Sequence, residues 1–569
     1  MSTRLVTTRK PTILKKLYDP PDGVPYVSED YFIVGFRFKH QFIGKLLSLN
    51  RIRAIRADTP LAIISPTGSG KSTFVLSTIR TVVKERGGRI LILVSRTVLA
   101  LQYKRQAASL ECPERLEQLT DIGLMETDTF GIIDVYTYHK FYQCLKNNPD
   151  LAKSYTDIVL DEFHFFLQDA PFNKYTGSLL DLIFKHFRHC RRYYLSATPD
   201  GILDIIINKE RELLYSTMNR ILCLQGTQNY LNHPVFTIYH FECDYDYINP
   251  ILFTDDTEIL EHIKADMNSK EKYLIFVDTK QRGIQLQRQL GDEMAEYIDA
   301  ELKNTTKKDT VQEIVRSESF SKKALIATSF LDVGVNITDC AVKNVVIYSS
   351  NKIHFLQCTG RRRKGGDSSI NLFICIPSKS DLETMLKRIN LEIHNMGEAG
   401  LVLSGYREEV TDPYYVCNEH GKIVIKYNPL YSNYLEYRKE ELLMLLGCFD
   451  EIDENTPEQA AIARHYLSWL KLEEKYNNCI WLGQEPEGKA KEIQDYFYPA
   501  LDQELSEDDF HELINDFIPL YNQPGNVRDY MRKDRDYGTR AINNIFEKYK
   551  LLLKFEKDPE TVTIRLRRY

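Results

Sequence analysis

Two short stretches carry side chains spaced for phosphate chemistry. The first is Ser65-Pro66-Thr67-Gly68-Ser69-Gly70-Lys71-Ser72-Thr73, which follows the apolar run Leu61-Ala62-Ile63-Ile64. Glycines in such a loop allow tight turns and close backbone approach, so several N–H groups converge on one phosphate. A helix starting at the end of the loop adds the positive end of its dipole. Lys71 then reaches the β- and γ-phosphates of a nucleotide, and the Ser72 hydroxyl ligates Mg²⁺. Ser65 stands where the first Gly of the usual P-loop pattern is found. The second stretch is the acidic pair Asp161-Glu162, which ends the apolar run Ile158-Val159-Leu160. There Asp161 would hold Mg²⁺ through water, while Glu162 would orient and deprotonate an attacking water. The two stretches together predict a nucleotide site.

The elements that must position these groups alternate. Arg89 to Val94 reads as a buried strand ending in Ser95-Arg96-Thr97, followed by a helix-like Val98 to Gln102. Gly131 to Tyr136 ends in Thr137-Tyr138-His139, and Arg192 to Leu195 ends in Ser196-Ala197-Thr198-Pro199. Strands alternating with helices predict a doubly wound parallel sheet, whose ligands bind outside the carboxyl ends of the strands. All the polar clusters therefore belong to one edge. Gln41 lies in a helix-like stretch about 30 residues before Lys71. Its amide can offer an adenine edge one donor and one acceptor, although a lone Gln reads more readily as a surface residue.

A chain of 569 residues exceeds one core, so two to four domains are expected. Apolar content of 43% and charged content of 27% are those of an ordinary globular protein, with no apolar run long enough for a membrane span or a signal peptide. Eleven cysteines without a Cys-x-x-Cys pair indicate neither a disulfide framework nor a zinc site, which fits a reducing, cytoplasmic location. The net charge of −6 excludes a wholly basic binder but leaves room for a local basic track on nucleic acid. The 35 tyrosines read as amphipathic core filling before they read as base-stacking rings.

The set resembles the first RecA-like domain of superfamily 2 helicases and translocases, in the DExH-type branch. Ser65 to Thr73 is similar to that family's first motif, Asp161-Glu162-Phe163-His164 to its DExH box, and Ser196-Ala197-Thr198 to its coupling motif. Ser95-Arg96-Thr97 and Thr137-Tyr138-His139 resemble its two nucleic-acid-backbone motifs, and Gln41 falls roughly where many members read adenine. The resemblance requires a second RecA-like domain. Tyr273 to Val277 followed by Asp278-Thr279-Lys280, and Lys323 to Ala327 leading into Thr328 to Asn336, supply strands and motifs for it. Gly334 lies in the segment similar to the fifth motif. Phe355 to Lys364 resembles the sixth, with Gln357, Gly360 and Arg361 in place and Lys364 where the final Arg is expected. A planar guanidinium supplies paired donors to γ-phosphate oxygens, which the point charge of Lys does not match. Arg361 is thus preferred, with Arg363 or Lys364 filling the last position.

The resemblance spans residues 35 to 405 and implies an α/β fold of two tandem RecA-like P-loop domains, at 35–225 and 226–405. It leaves an N-terminal extension at 1–34 and a mainly helical C-terminal domain at 406–569. In the last region a hairpin is expected around Asn418-Glu419-His420-Gly421 and helix starts at Thr456 and Ser506. A second helix is expected over Arg540 to Phe555, then a strand from Val562, an order that a winged-helix-like unit or a solvated helical domain would share. The implied activity is ATP hydrolysis with Mg²⁺, coupled to movement along or unwinding of nucleic acid, with DNA slightly favoured over RNA. Lys71, Asp161, Glu162, Gln357, Arg361 and Lys364 would act in hydrolysis. Gln41, the P-loop from Ser65 to Thr73 and Gly334 would hold ATP, with Ser72 and Asp161 on the metal. Ser95, Arg96, Thr137, Thr279 and Thr328 would grip phosphates, and His164, Ser196 and Thr198 would couple the two events. The rival expectation is an ATPase subunit that remodels protein–nucleic-acid complexes, or switches a protein partner through the C-terminal domain, without separating strands.

Overall fold

The computed structural model describes residues 26–28, 33–38, 42–55, 60–116, 120–217, 236–242, 244–299, 314, 317–328, 337–362, 369–402, 428–449, 458–482, 489–501, 503–521, 537–548, 553–557 and 562–566. Gln41, Gly334, Arg363 and Lys364, and the hairpin expected around residues 418–421, lie outside the described residues.

The first sheet is built around three strands buried at every residue, Leu61–Ile64, Ile90–Val94 and Asp157–Asp161. β1 (Tyr26–Ser28), β2 (Ile33–Phe38), β3 (Leu61–Ile64), β4 (Ile90–Val94), β5 (Thr129–Phe130), β6 (Ile133–Thr137), β7 (Asp157–Asp161), β8 (Arg191–Ser196) and β9 (Phe236–Phe241) lie in the order β1-β2-β9-β3-β8-β7-β4-β6-β5. The pairings are parallel except at the two edges, β1 with β2 and β5 with β6. Helices cover both faces, so the central strands are apolar throughout rather than alternating with polar residues. Side chains still alternate in direction. Ala62, Ile64, Leu91, Leu93, Ile158 and Leu160 enter one core, and Leu61, Ile63, Ile90, Ile92, Val94 and Val159 enter the other.

The second sheet repeats the plan. β10 (Ile248–Phe253), β11 (Lys272–Phe276), β12 (Ala295–Ile298), β13 (Ala324–Ala327), β14 (Val342–Ile347), β15 (Ile370–Cys375) and β16 (Ile480–Trp481) lie in the order β12-β13-β11-β14-β15-β10-β16, all parallel. Leu274, Phe276, Leu325 and Val345 face one core while Tyr273, Ile275, Ile326 and Val346 face the other. Both sheets reach past the expected limits: β1, part of β2 and β9 lie outside 35–225, and β16 comes from beyond residue 406.

Beyond these sheets the helix Pro429–Gly447 leads to a terminal unit of helix Lys489–Phe497, β17 (Glu504–Leu505), helices Glu507–Tyr521 and Thr539–Lys548, β18 (Leu553–Lys557) and β19 (Val562–Leu566). Its antiparallel sheet has the order β17-β19-β18 and closes over Phe497, Phe510, Phe517, Phe546 and Phe555. The expected helix from Arg540 to Phe555 is corrected at its end: a helix covers Thr539–Lys548, and Leu553 to Phe555 belong to β18. Leu553 and Phe555 are buried while Lys554 and Glu556 are exposed, a period of two that fits a strand lying on a core. The helix start at Ser506 is present, with Ser506 Oγ accepting the Asp509 N–H and Asp509 accepting the Ser506 N–H. Among the described residues no helix is long and apolar enough to cross a membrane.

Candidate active site between the two sheets

β3 delivers the phosphate loop at its carboxyl end. Gly68 and Gly70 adopt φ of 83° and 91°, the left-handed region that a side chain would strain, and Phe74 N–H closes the first helical turn on Gly70 O at 2.9 Å. A π-turn at Val75–Ile79 interrupts the helix that follows. Lys71 is buried and donates to the carbonyls of Ser65 (3.0 Å) and Pro66 (3.4 Å), while the Ser65 hydroxyl accepts from Ser69 Oγ at 2.9 Å. Ser65 replaces the usual Gly without strain because its own N–H is spent on Ser196 O across the sheet and its side chain packs inside the loop.

β7 brings the acidic pair beside this loop. Asp161 accepts from Tyr103 OH (2.8 Å) and from the Glu162 N–H (3.0 Å), and its carbonyl accepts from Tyr138 OH (3.0 Å). Burial, then the charge of Glu162, pushes the Asp161 carboxyl well above the usual carboxylate range. Burial acts on Glu162 in the same direction, but Lys71, His164 and Arg361 outweigh it and hold that carboxyl well below the usual range. Lys71 Nζ lies 3.7 Å from Glu162 Oε1. Glu162 itself has φ of 51°, a conformation that costs an ordinary residue about 1–3 kcal/mol. Its buried Oε2 makes no hydrogen bond, although it stands 3.3 Å from His164 Nδ1.

The second sheet closes the site. The helix Lys352–Thr359 follows β14 and places Gln357 Nε2 at 2.6 Å from His164 Nε2 and 3.4 Å from Thr198 Oγ1. With the amide donating, His164 Nε2 accepts and the ring proton sits on Nδ1, facing Ser196 Oγ at 2.9 Å and Glu162 Oε2. Ser196 Oγ accepts from Thr198 N–H at 3.0 Å. His164, Ser196, Thr198 and Gln357 thus form one buried chain from the acidic pair to the second domain. Arg361 is buried, donates through Nε to Gln357 O (3.1 Å) and lines the same cleft. Arg362 turns away and donates to Val342 O at 2.8 Å inside the second domain.

The cleft between the domains has a volume of about 670 Å³ and takes in Thr67 to Thr73, Asp161, Glu162 and Arg361. Ser65 and Pro66 are not part of its wall; they hold Lys71 from behind. Sequence reading missed Phe42, which is 60% exposed beside the cleft on a segment tied to the loop by Ile43 N–H to Ser69 O (3.4 Å). An exposed ring directly after Gln41 was the available signal. Tyr103 and Tyr138 were missed because buried tyrosines at helical spacing look like core. Among the described residues no cluster of three or more His, Cys, Asp or Glu is placed to hold a metal. Ser72 and Asp161 line this cleft together, and a hydroxyl and a carboxylate are the oxygen donors that would fit a Mg²⁺ carried in on nucleotide phosphates.

The residues expected to grip phosphates lie elsewhere on the two carboxyl edges. Thr137 and Thr279 cap helices, accepting from Lys140 N–H and Arg282 N–H at 3.2 Å each. Arg96 is paired with Asp169 through both guanidinium nitrogens, one at 2.9 Å. Ser95 Oγ is buried and makes no hydrogen bond, and Thr328 is half-buried just past β13. Thr279 borders a second cleft, of about 620 Å³, walled by Asp255, Asp256, Asp278 and Asp381 with Arg282 and Arg388. That cleft is a less favourable setting for a phosphate than the sequence suggested.

Residues 39–201 match the family model described as "Type III restriction enzyme, res subunit", and residues 255–365 match "Helicase conserved C-terminal domain". No curated protein matches the sequence. Solved structures with a similar fold include Dbp5 of S. cerevisiae bound to RNA and ADP BeF3 (15% identity, TM-score 0.39, covering 56% of this chain and 79% of that one). They also include the DEAD-box helicase Mss116 bound to ssRNA (14%, 0.44, 74% and 85%) and the Mycobacterium smegmatis helicase Lhr bound to ssDNA and AMP-PNP (16%, 0.38, 61% and 50%). These likenesses are too distant to transfer what those proteins bind.

Proposed function

We propose that this chain, a superfamily 2 helicase with two RecA-like domains and hence an ATP-dependent nucleic-acid helicase or translocase, hydrolyses ATP in the cleft between its two sheets. The observation that carries the assignment is the buried chain from Glu162 through His164 to Gln357, which joins the acidic pair of one domain to the motif helix of the other. Lys71 and the loop amides bind the phosphates, Ser72 and Asp161 hold Mg²⁺, and Phe42 with Gln41 receives the base. Glu162 orients the attacking water and takes its proton. Arg361 brings a guanidinium to the charge that develops on the γ-phosphate. Mg²⁺, when bound, neutralises part of that same charge.

Arg96, Ser95 and Thr137 form the first domain's hold on the strand, with Thr279 and Thr328 the second domain's. The basic Arg540 and Lys554 beside a helix–strand–helix–helix–hairpin order support a winged-helix-like contact to the same polymer. DNA is the preferred track in this reading. ATP turnover measured alone, then with single-stranded DNA, duplex DNA and RNA, tests it: strong stimulation by DNA is expected. High turnover indifferent to every polymer would overturn the phosphate-gripping assignments.

A further inference from the structure

The helix Pro429–Gly447 lies outside both family-model matches, yet it touches segments next to the residues just assigned to hydrolysis and coupling in both domains. Its N-terminal half is embedded in the first domain. Asn428 caps it by accepting the Leu430 N–H and donates from Nδ2 to Thr176 Oγ1 at 3.1 Å. Gly177 makes room, since a Cβ there would stand 2.7 Å from Asn428 Oδ1. Leu430, Tyr431 and Leu435 join the core that holds Phe165, Phe166 and Leu167, the helix just past the DExH residues. Tyr437 lies against Gly201 (φ 74°), where a Cβ would meet Leu167 at 2.7 Å and Tyr437 at 2.9 Å, one turn beyond Ser196 and Thr198.

Its C-terminal half is embedded in the second domain. Leu442, Leu445 and Phe449 enter the core beneath β14. Glu441 Oε1 accepts the backbone N–H of Lys352, the first residue of the helix that carries Gln357 and ends before Arg361, at 2.6 Å. Arg438, ion-paired to Glu441, donates to Ser350 O (3.1 Å) and Ser350 Oγ (3.2 Å) in the loop before that helix. Glu441 thus puts a negative charge at the positive end of the Lys352–Thr359 dipole and fixes where the helix begins. Leu435 and Leu442, one in each core, are seven residues and about 10 Å apart along a single helix.

We propose that this helix is a gauge that sets the distance between the two domains, with Glu441 and Arg438 as positioning residues for Gln357 and Arg361. A packed helix cannot stretch, so pinning one end beside the DExH strand and capping the motif helix with the other fixes how far the Arg361 guanidinium stands from the γ-phosphate site. The inference rests on the reading of Gln357 and Arg361 given above.

The test compares kcat and KM for ATP in the full chain carrying Glu441→Ala, Arg361→Ala and both. A misplacement of about 1 Å costs roughly a hundredfold in rate, so Glu441→Ala is expected to lower kcat by about tenfold to a hundredfold with KM for ATP unchanged. Once Arg361 is already Ala, it should cause only a smaller further loss, the part that passes through Gln357. Losses that multiply in the double variant, or a Glu441→Ala enzyme with full turnover, would overturn the gauge. If Glu441→Ala does not fold, Glu441→Gln, which keeps the side chain's bulk, and Asn428→Ala, which removes the cap and its bond to Thr176, decide: each should lower kcat without changing KM. Full turnover by Arg361→Ala would instead sink the underlying site assignment.

Discussion

Gly360 of the second domain lies against Thr67 of the phosphate loop so closely that a Cβ on Gly360 would stand 2.9 Å from Thr67 Oγ1 and 3.1 Å from its Cβ. The two domains meet at the cleft by leaving a side chain out. Gly360→Ala must therefore push the Lys352–Thr359 helix away from the loop by some tenths of an ångström, carrying Gln357 and Arg361 with it. Steady-state kinetics should show kcat reduced by about tenfold or more with KM for ATP little changed, because the nucleotide's main hold is in the first domain. Wild-type kcat in this variant would show that the closed contact is not the one in which hydrolysis occurs.

Lys71 and Glu162 separate binding from hydrolysis. Lys71→Ala removes the cation that faces the phosphates and leaves Glu162 without its lysine partner, so both nucleotide affinity and turnover should collapse. Glu162→Gln preserves shape and removes only the base, and turnover should fall by about 10²- to 10⁴-fold while a fluorescent nucleotide still binds. Hydrolysis at the normal rate by Glu162→Gln would move the role of base to another group.

Much of this site was legible because the P-loop and the acidic pair are local: the residues that act are the residues that make the pattern. Gln357 and Arg361 were legible through order along the chain, which fixes the strand ends to which they belong. Phe42, Tyr103 and Tyr138 were not, since nothing in a single aromatic residue says whether its partner is a base, a carboxylate or a neighbouring ring. That both sheets take strands from beyond the expected domain limits was illegible for a similar reason. β9 and β16 pair with strands about 175 and 230 residues away, a long-range pairing that no local period records. The helix expected up to Phe555 was misread from Leu553 on, where a two-residue alternation too short to register as a strand begins.

Arg96 tests the nucleic-acid edge. Its guanidinium is oriented by Asp169, so it can meet a phosphate without an entropic search. Arg96→Ala should weaken binding of a single-stranded oligonucleotide about equally for all sequences and lower the slope of log K against log salt by roughly one. ATP turnover without polymer should stay unchanged. A sequence-dependent loss would mean that Arg96 reads bases and that the strand runs differently across this edge.

His354 couples the second-domain motif helix to pH. Burial lowers its pKa from 6.5 to about 4, and its ring nitrogens face Ser349 Oγ at 3.0 Å and Cys358 Sγ at 3.4 Å. Asp278 acts to raise the pKa and Arg438 to lower it, but burial dominates. Because the folded-state pKa is the lower one, the unfolded chain binds the extra proton between pH 6.5 and 4. Stability from this group is therefore complete above about pH 6.5 and is lost as the pH falls toward 4, by an amount on the order of 1–3 kcal/mol. Thermal melting followed from pH 7.5 to 5 should show the midpoint falling, and His354→Gln should flatten that fall while leaving the melt at pH 7.5 within a few degrees. An unchanged pH slope in the variant would assign the acid sensitivity to other buried groups.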